Sequence, residues 1–227
     1  LNLTSPGIGS TRSRPGPRDP THGGLASLAA DTTVRHLIEM TDSELLAAFV
    51  AAFERHDDML VSDPLLDPAA HSLRIGNPGP RGVRWRVKPV HLTHRALERF
   101  YSHVPGRLPR LYEQLITSYR WADVDIGACT LLGNPPAEGL SGLTASILRD
   151  RILTDTLFPN GLIPFARASG GRYDPVCFAT RRPQHGTDVP VVRVDHEQVR
   201  RFRRVHIVAE VAPSFRALVQ STIETGA

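Results

Sequence analysis

Residues 161–194, GLIPFARASGGRYDPVCFATRRPQHGTDVPVVRV, decide the fold of this chain. They contain three short apolar runs, 162–168, 176–180 and 189–194, which are separated by the Gly170-Gly171 pair and by a turn-forming stretch at 182–186. Short apolar runs bounded by glycine and proline are typical of successive strands joined by hairpins. The region therefore predicts a mainly antiparallel sheet.

The segments outside this region predict helices before the sheet and one helix after it. Their apolar residues recur at three- and four-residue spacing, which is typical of amphipathic helices that pack one face on a core. The predicted helices cover residues 41–59, 91–104, 108–121, 143–157 and 214–225, and further predicted strands cover residues 71–75, 83–90, 124–132 and 204–211. We expect an α+β fold in which a mainly antiparallel sheet of about five to six strands packs against several helices.

The composition is that of an ordinary globular protein. The chain has 227 residues, of which 41% are hydrophobic and 22% charged, and this argues against wholesale disorder. No apolar run approaches the roughly 20 residues of a membrane-spanning helix, and the first residues lack a secretory signal, so we expect a cytoplasmic protein without a membrane partner. Cys129 and Cys177 lie in apolar runs and are interpreted as buried hydrophobes, not as a disulfide or a metal pair. The sequence predicts no cofactor.

The first 39 residues differ from the rest, because they are rich in proline, glycine, serine and threonine and offer nothing for a core. Met40 is followed by Thr41 and, three residues further on, by Glu44, a pattern that opens helices. We interpret residues 1–39 as a disordered leader, Met40 as the true start, and residues 40–227 as a single domain.

Several segments after residue 108 share a pattern with one known family. They are Leu108-Pro109 with Tyr112 and Leu115, then GLIPFA at 161–166, YDPVCF at 173–178, PVVRVDHE at 190–197 and VAPSF at 211–215. In order and spacing this combination resembles the SUKH superfamily, the Smi/Knr-type domain of fungal cell-wall synthesis regulators and bacterial toxin-immunity proteins, over residues 108–224. One departure is Ala179, where the family often carries an acidic residue.

The resemblance implies an α+β domain without known enzymatic chemistry that acts as a recognition surface. In bacterial members the usual role is to bind and neutralise a cognate toxin. The resemblance therefore favours a protein partner, either a toxin or a regulatory target, and leaves the partner's identity and the oligomeric state open.

Aromatic and arginine side chains dominate binding energy at interfaces, so they lead the candidate partner-binding residues. The candidates are Trp121, Tyr173, Asp174, Asp195 and Glu197, with Arg200, Arg201, Arg203 and Arg204 as an electrostatic rim. Trp121 and Tyr173 are also compatible with positions in the core, and a stability measurement on each variant separates the two cases.

The arginine cluster surrounds Phe202 and has two interpretations. In one, the arginines grip phosphates or an acidic protein face while Phe202 stacks on a base. In the other, which we favour, Phe202 and Val205 face inward and the arginines line the solvent side. A nucleic-acid-binding domain that uses this arginine surface is therefore the main alternative function.

The tripeptide Asp195-His196-Glu197 is the best candidate for a metal site or an acid/base pair. Adjacent strand residues point to opposite faces, so a solvated turn that caps the sheet is favoured over a ligand set. Neither cysteine has a setting that lowers a thiol pKa, and no Gly-x-Ser-x-Gly elbow is present. We expect a non-enzymatic protein, and a hydrolase built around Asp174, Asp195, His196 and Glu197 is a weaker alternative.

Overall fold

The computed structural model describes residues 39–55, 60–61, 72–79, 82–170, 173–181 and 188–226. The described helices are α1 (Asp42–Arg55), α2 (His94–Tyr101), α3 (Arg110–Ser118), α4 (Ser141–Leu148), α5 (Arg151–Leu157), α6 (His196–Phe202) and α7 (Phe215–Thr225). The described strands are β1 (Leu60–Val61), β2 (Arg74–Gly79), β3 (Gly82–Trp85), β4 (Lys88–Pro89), β5 (Tyr119–Arg120), β6 (Val124–Asp125), β7 (Cys129–Leu131), β8 (Leu162–Ala168), β9 (Pro175–Ala179), β10 (Val191–Val194) and β11 (Ile207–Ala212).

Some predictions fall outside these residues. They are the leader over residues 1–39 apart from Glu39, the end of the helix predicted over 41–59, and the turn at 182–186. Residues Met40–Ala227 form one compact unit.

The main sheet has six strands in the order β11-β10-β9-β8-β7-β6, and each neighbouring pair is antiparallel. Its centre is the hairpin array predicted from residues 161–194, with Val192 opposite Cys177 and Ile163 opposite Phe178. Two small sheets, β1-β3-β2 and β4-β5, precede it in the chain. The structure confirms the predicted α+β class and the mainly antiparallel sheet.

Helices cover both faces of the central strands, which explains why these strands are apolar without alternation. On one face Phe165 and Phe178 stack with ring centroids 4.0 Å apart, and Tyr112 of α3 and Phe215 of α7 meet them edge-on. On the other face the buried residues, packed together with α5 and α6, are Leu157, Leu162, Cys177, Ala179, Val192, Val194 and Val199. Burial from both sides selects continuous apolar runs, so each strand is fixed between two helical layers.

A buried polar network joins the end of α3 to the loop before α4. The Arg120 guanidinium donates to Asn134 Oδ1 at 2.8 Å and to the carbonyl oxygens of Ala137 at 3.3 Å and Gly139 at 2.5 Å. Asn134 Nδ2 in turn donates to the carbonyl oxygens of Ile116 and Tyr119, at 2.9 and 2.8 Å. Desolvation lowers the pKa of Arg120 from its ordinary value. The network satisfies polar groups that would otherwise be costly to bury.

Several element boundaries differ from the sequence predictions. The helix predicted over 108–121 ends at Ser118, and β5 follows it. The helix predicted over 143–157 is two helices, because the Asp150 side chain accepts a hydrogen bond from Leu153 N at 3.2 Å and caps a new helix. The strand predicted over 124–132 is the β6-β7 hairpin, turned at Gly127, whose φ is 78°. The strand predicted over 83–90 is interrupted between β3 and β4.

Candidate functional site

A short helix, α6, follows β10 directly and positions most of the predicted site residues. Asp195 is its N-cap and accepts a hydrogen bond from Gln198 N at 3.0 Å, while Val199 is buried beneath the helix. This corrects the prediction of a solvated turn at 195–197. The sequence did carry a signal, since Asp195 with Gln198 three residues later matches the pattern of a capping box.

Residues 173–174, directly before β9, lie against the start of α6. Asp174 Oδ1 accepts a hydrogen bond from His196 N at 3.1 Å, and Asp174 Oδ2 lies 3.9 Å from Arg193 Nε. The Tyr173 ring is 76% exposed, and its centroid lies 6.0 Å from that of the His196 ring. Asp174 thus holds residues 173–174 against the helix. Tyr173 lies beside the hydrogen bond between Asp174 and His196, and most of its surface is exposed.

The four arginines of the predicted rim fall into two pairs with different partners. Arg201 Nε contacts Glu197 Oε2 at 2.7 Å, and Arg200 Nε lies 3.9 Å from Asp150 Oδ2. Arg203 donates to the carbonyl oxygen of Ile152 at 3.3 Å. Within the described residues, neither Arg203 nor Arg204 has a carboxylate partner. Two exposed cations therefore remain uncompensated at the end of α6.

The end of α6 turns Phe202 outward. Arg203 adopts the left-handed conformation with φ 54°, and its backbone N–H bonds to the carbonyl oxygen of Val199 at 3.0 Å. Phe202 is 57% exposed, whereas Val205 packs on the core beneath α6. The expectation that both residues face inward is corrected for Phe202, because Val199 and Val205 already fill the space under the helix end.

Trp121 is the candidate that the structure does not bring to this surface. Its side chain is 0% exposed, and its Nε1 donates to the carbonyl oxygen of Leu132 at 3.1 Å. A fully buried indole with a satisfied N–H is a core residue. A direct contact between Trp121 and a partner is therefore corrected to a role in the fold.

Among the described residues around α6, the side chains that could act as nucleophiles or metal ligands do not come together in one site. Asp195 Oδ2 lies 3.8 Å from His206 Nδ1, and Glu197 Oε1 lies 3.9 Å from His196 Nδ1. In the described part of the chain, no three histidine, cysteine, aspartate or glutamate side chains are grouped to hold a metal ion. Burial raises the pKa of Cys129 to about 12 and raises that of Cys177 further, so neither thiol is poised as a nucleophile.

A separate cavity lies between α2 and α4. Its lining is mainly apolar, with Arg99 and His103 among the lining residues, and none of the predicted site residues contributes to it. Arg99 contacts Glu138 across this region. Among the described residues, no helix is long and apolar enough to span a membrane.

Comparison with known proteins adds no family assignment. No family model matches the chain, and no curated protein matches it with statistical significance. The resemblance to the SUKH superfamily over residues 108–224 therefore stays a prediction, and function is argued from the geometry around α6.

Proposed function

We propose that this chain is a non-enzymatic protein-binding domain of the SUKH type, with α6 and residues 173–174 before β9 as its recognition surface. The observation that carries the proposal is the exposure of two aromatic side chains, Tyr173 at the start of the helix and Phe202 at its end. Exposed aromatic residues flanked by arginines are the side chains that contribute most at protein interfaces. Neither ring belongs to the buried core, so we expect neither to contribute much to stability.

The surface is also firmly supported. Asp195 caps α6, and Val199 anchors the helix on the sheet. Asp174, directly before β9, is hydrogen-bonded to the backbone at the start of the helix. Contacts of this kind preorganise a surface, so little ordering entropy is lost when a partner binds. A rigid platform supports recognition by shape, with the exposed rings as anchors.

The carboxylates of the hydrolase alternative are used differently. Asp195 holds the helix cap, Asp174 holds the loop, and Glu197 pairs with Arg201 at 2.7 Å. A general acid or base has to reach a substrate proton, and these groups are committed to structural contacts. Their arrangement supports a binding role over catalysis.

We further propose that the protein acts in the cytoplasm as an immunity-type or regulatory protein that binds a cognate toxin or another protein. This part of the proposal is supported by the order and spacing of the SUKH-like segments between residues 108 and 224. Fold resemblance constrains function only loosely, so the partner has to be found experimentally.

A nucleic-acid-binding domain is the second candidate, favoured by Phe202 standing between arginines. An aromatic ring beside cations is the usual platform for an unpaired base. This candidate requires affinity for DNA or RNA that falls steeply with added salt, because phosphate contacts release counterions. If the chain does not bind DNA or RNA, or if its affinity does not change with salt, this candidate function is excluded.

The test compares wild type with Tyr173→Ala and Phe202→Ala as baits for cross-linked partners from the source cells. Each variant should keep the wild-type melting temperature and lose at least one protein that wild type captures. The matched control is Glu224→Ala, an exposed residue near the end of α7, which should capture the same proteins as wild type.

Two results would contradict the proposal. One is a capture profile that neither aromatic substitution changes. The other is a large fall in melting temperature for both variants, which would make the rings structural. If the captured protein is a toxin, co-expression of wild type should protect cells from it, and the variants should protect them less.

A further inference from the structure

We infer that the partner is held by an arginine-flanked aromatic knob, and that its matching face carries carboxylates around an apolar pocket. The knob consists of Phe202, Arg203 and Arg204, and this name is used for these three residues below. The inference rests on the proposed function and specifies the chemistry of the partner at that same surface. Three observations support it.

The first observation is the distribution of charge. Arg200 and Arg201 have carboxylates from the chain itself, Asp150 and Glu197. The two knob arginines have none in the part of the chain that the structure describes, and both are exposed. Guanidinium groups bind carboxylates through strong charge-assisted hydrogen bonds. A partner protein that supplies two carboxylates would therefore pair with Arg203 and Arg204.

The second observation is the backbone at Arg203. It is the one non-glycine residue with a positive φ among the residues described, at 54°. The chain uses glycine for the same left-handed turn after α7, where Gly226 has φ 65°, and after the turn at Phe158–Asn160, where Gly161 has φ 70°. An arginine in this conformation carries strain that glycine avoids, and strain of this kind gathers at functional sites. The strained residue follows the exposed Phe202 directly in the chain, and its guanidinium donates to the carbonyl oxygen of Ile152 at 3.3 Å, where it has no carboxylate partner among the described residues.

The third observation concerns the adjacent edge of the main sheet. β11 is an edge strand, but its pairing with β10 shifts register twice, between Val191 and Val192 and between Arg193 and Val194. Bulges bend and twist an edge, which protects it from pairing with a further strand. A partner is therefore recognised through the projecting side chains of the knob, not by strand addition.

The local charges favour a protein over a nucleic acid. Glu197, whose side chain is 61% exposed, and the exposed Glu210 on β11 lie on the elements that flank the knob. Nucleic-acid affinity grows with the number of phosphates neutralised, and among the described arginines of α6 and its end two, Arg203 and Arg204, lack a carboxylate partner. Two arginines are enough to pair with a compact acidic patch on a partner protein. The Phe202 ring would then fit an apolar pocket between the carboxylates of that patch.

The experiment uses a yeast-displayed library of three-helix domains, randomised on one face and selected for binding to the full chain. A single-stranded DNA 20-mer serves as the nucleic-acid probe. We expect the selected binders to be enriched in Asp and Glu around small or apolar positions. Phe202→Ala and the double variant Arg203→Glu/Arg204→Glu should each weaken their binding by at least about tenfold.

Two controls separate loss of binding from loss of folding. Arg203→Gly removes one guanidinium while relieving the backbone, so weakened binding in this variant cannot be attributed to unfolding. Arg95→Glu/Arg110→Glu reverses two exposed arginines elsewhere on the chain and should bind as wild type does. Melting temperatures of all variants are measured alongside.

The inference is overturned if the binders show no acidic enrichment or bind the knob variants as tightly as wild type. It is also overturned if the DNA probe binds in a salt-dependent way that Arg203→Glu/Arg204→Glu abolishes, since that identifies a nucleic-acid surface. If a cellular partner depends on Tyr173 but not on the knob, the proposed function stands and this inference fails. If it depends on neither, the proposed function fails.

Discussion

The buried network around Asn134 gives a prediction whose size can be worked out from the structure. Asn134 is 0% exposed, and its side chain accepts one hydrogen bond from Arg120 and donates two to the carbonyl oxygens of Ile116 and Tyr119. Asn134→Ala removes all three. At about 1 kcal/mol net for each bond, the free energy of unfolding should fall by about 3 kcal/mol. The Arg120 guanidinium keeps its acceptors at the carbonyl oxygens of Ala137 and Gly139, so the loss is that of these three bonds.

The assay is reversible unfolding in urea with a thermal scan alongside. For a domain of this size, a loss of about 3 kcal/mol should lower the melting temperature by roughly 6–12 °C. Glu224→Ala is the matched control, and its free energy of unfolding should change by less than about 0.5 kcal/mol. A loss below about 1 kcal/mol for Asn134→Ala would refute the reasoning, because it would mean that the network does not hold the loop to α3.

The remaining predictions concern the helix end, the two candidate aromatic residues and the buried thiol. Arg203→Gly should raise the free energy of unfolding by about 1 kcal/mol in urea titrations, because glycine adopts the left-handed conformation at no steric cost; a decrease would contradict the strain at that position. Trp121→Ala should lower the free energy of unfolding by about 3–5 kcal/mol, whereas Tyr173→Ala should change it by less than about 0.5 kcal/mol. Equal losses in thermal scans would contradict the assignment of one ring to the core and the other to the surface. The raised pKa of Cys129, about 12, leaves its thiol protonated at pH 8, so the native protein should resist a disulfide reagent that labels it rapidly after denaturation. Rapid labelling of the native state would show that the thiol is not buried.

The main sheet was predictable because its strands are buried on both faces. The apolar runs at 162–168 and 189–194 predicted two of its strands. The structure confirms the bounds of the first, whereas the second strand is Val191–Val194 and begins two residues later than predicted. Helix boundaries were harder. The apolar spacing continues across Arg149 and Asp150, so periodicity alone does not reveal that the Asp150 side chain ends one helix and caps the next.

The candidate surface was predictable in part. The arginines lie at the surface as expected, and Tyr173, for which the sequence left surface and core positions open, is exposed. The expectation for Phe202 was wrong, because Val199 and Val205 pack beneath α6. Trp121 looked the same as Tyr173 in the sequence, since nothing local distinguishes a buried ring from an exposed one. The Arg120 network escaped prediction because its acceptors lie 14 to 19 residues away and meet only after folding.

The claim that carries the proposed function is that α6 and residues 173–174, directly before β9, form the surface that contacts a protein partner. Hydrogen exchange of the full chain, measured with and without the captured partner, tests it most directly. The claim predicts slower exchange at residues 173–174 and 195–206, with little change elsewhere. Protection confined to another region, such as the cavity between α2 and α4, would contradict it.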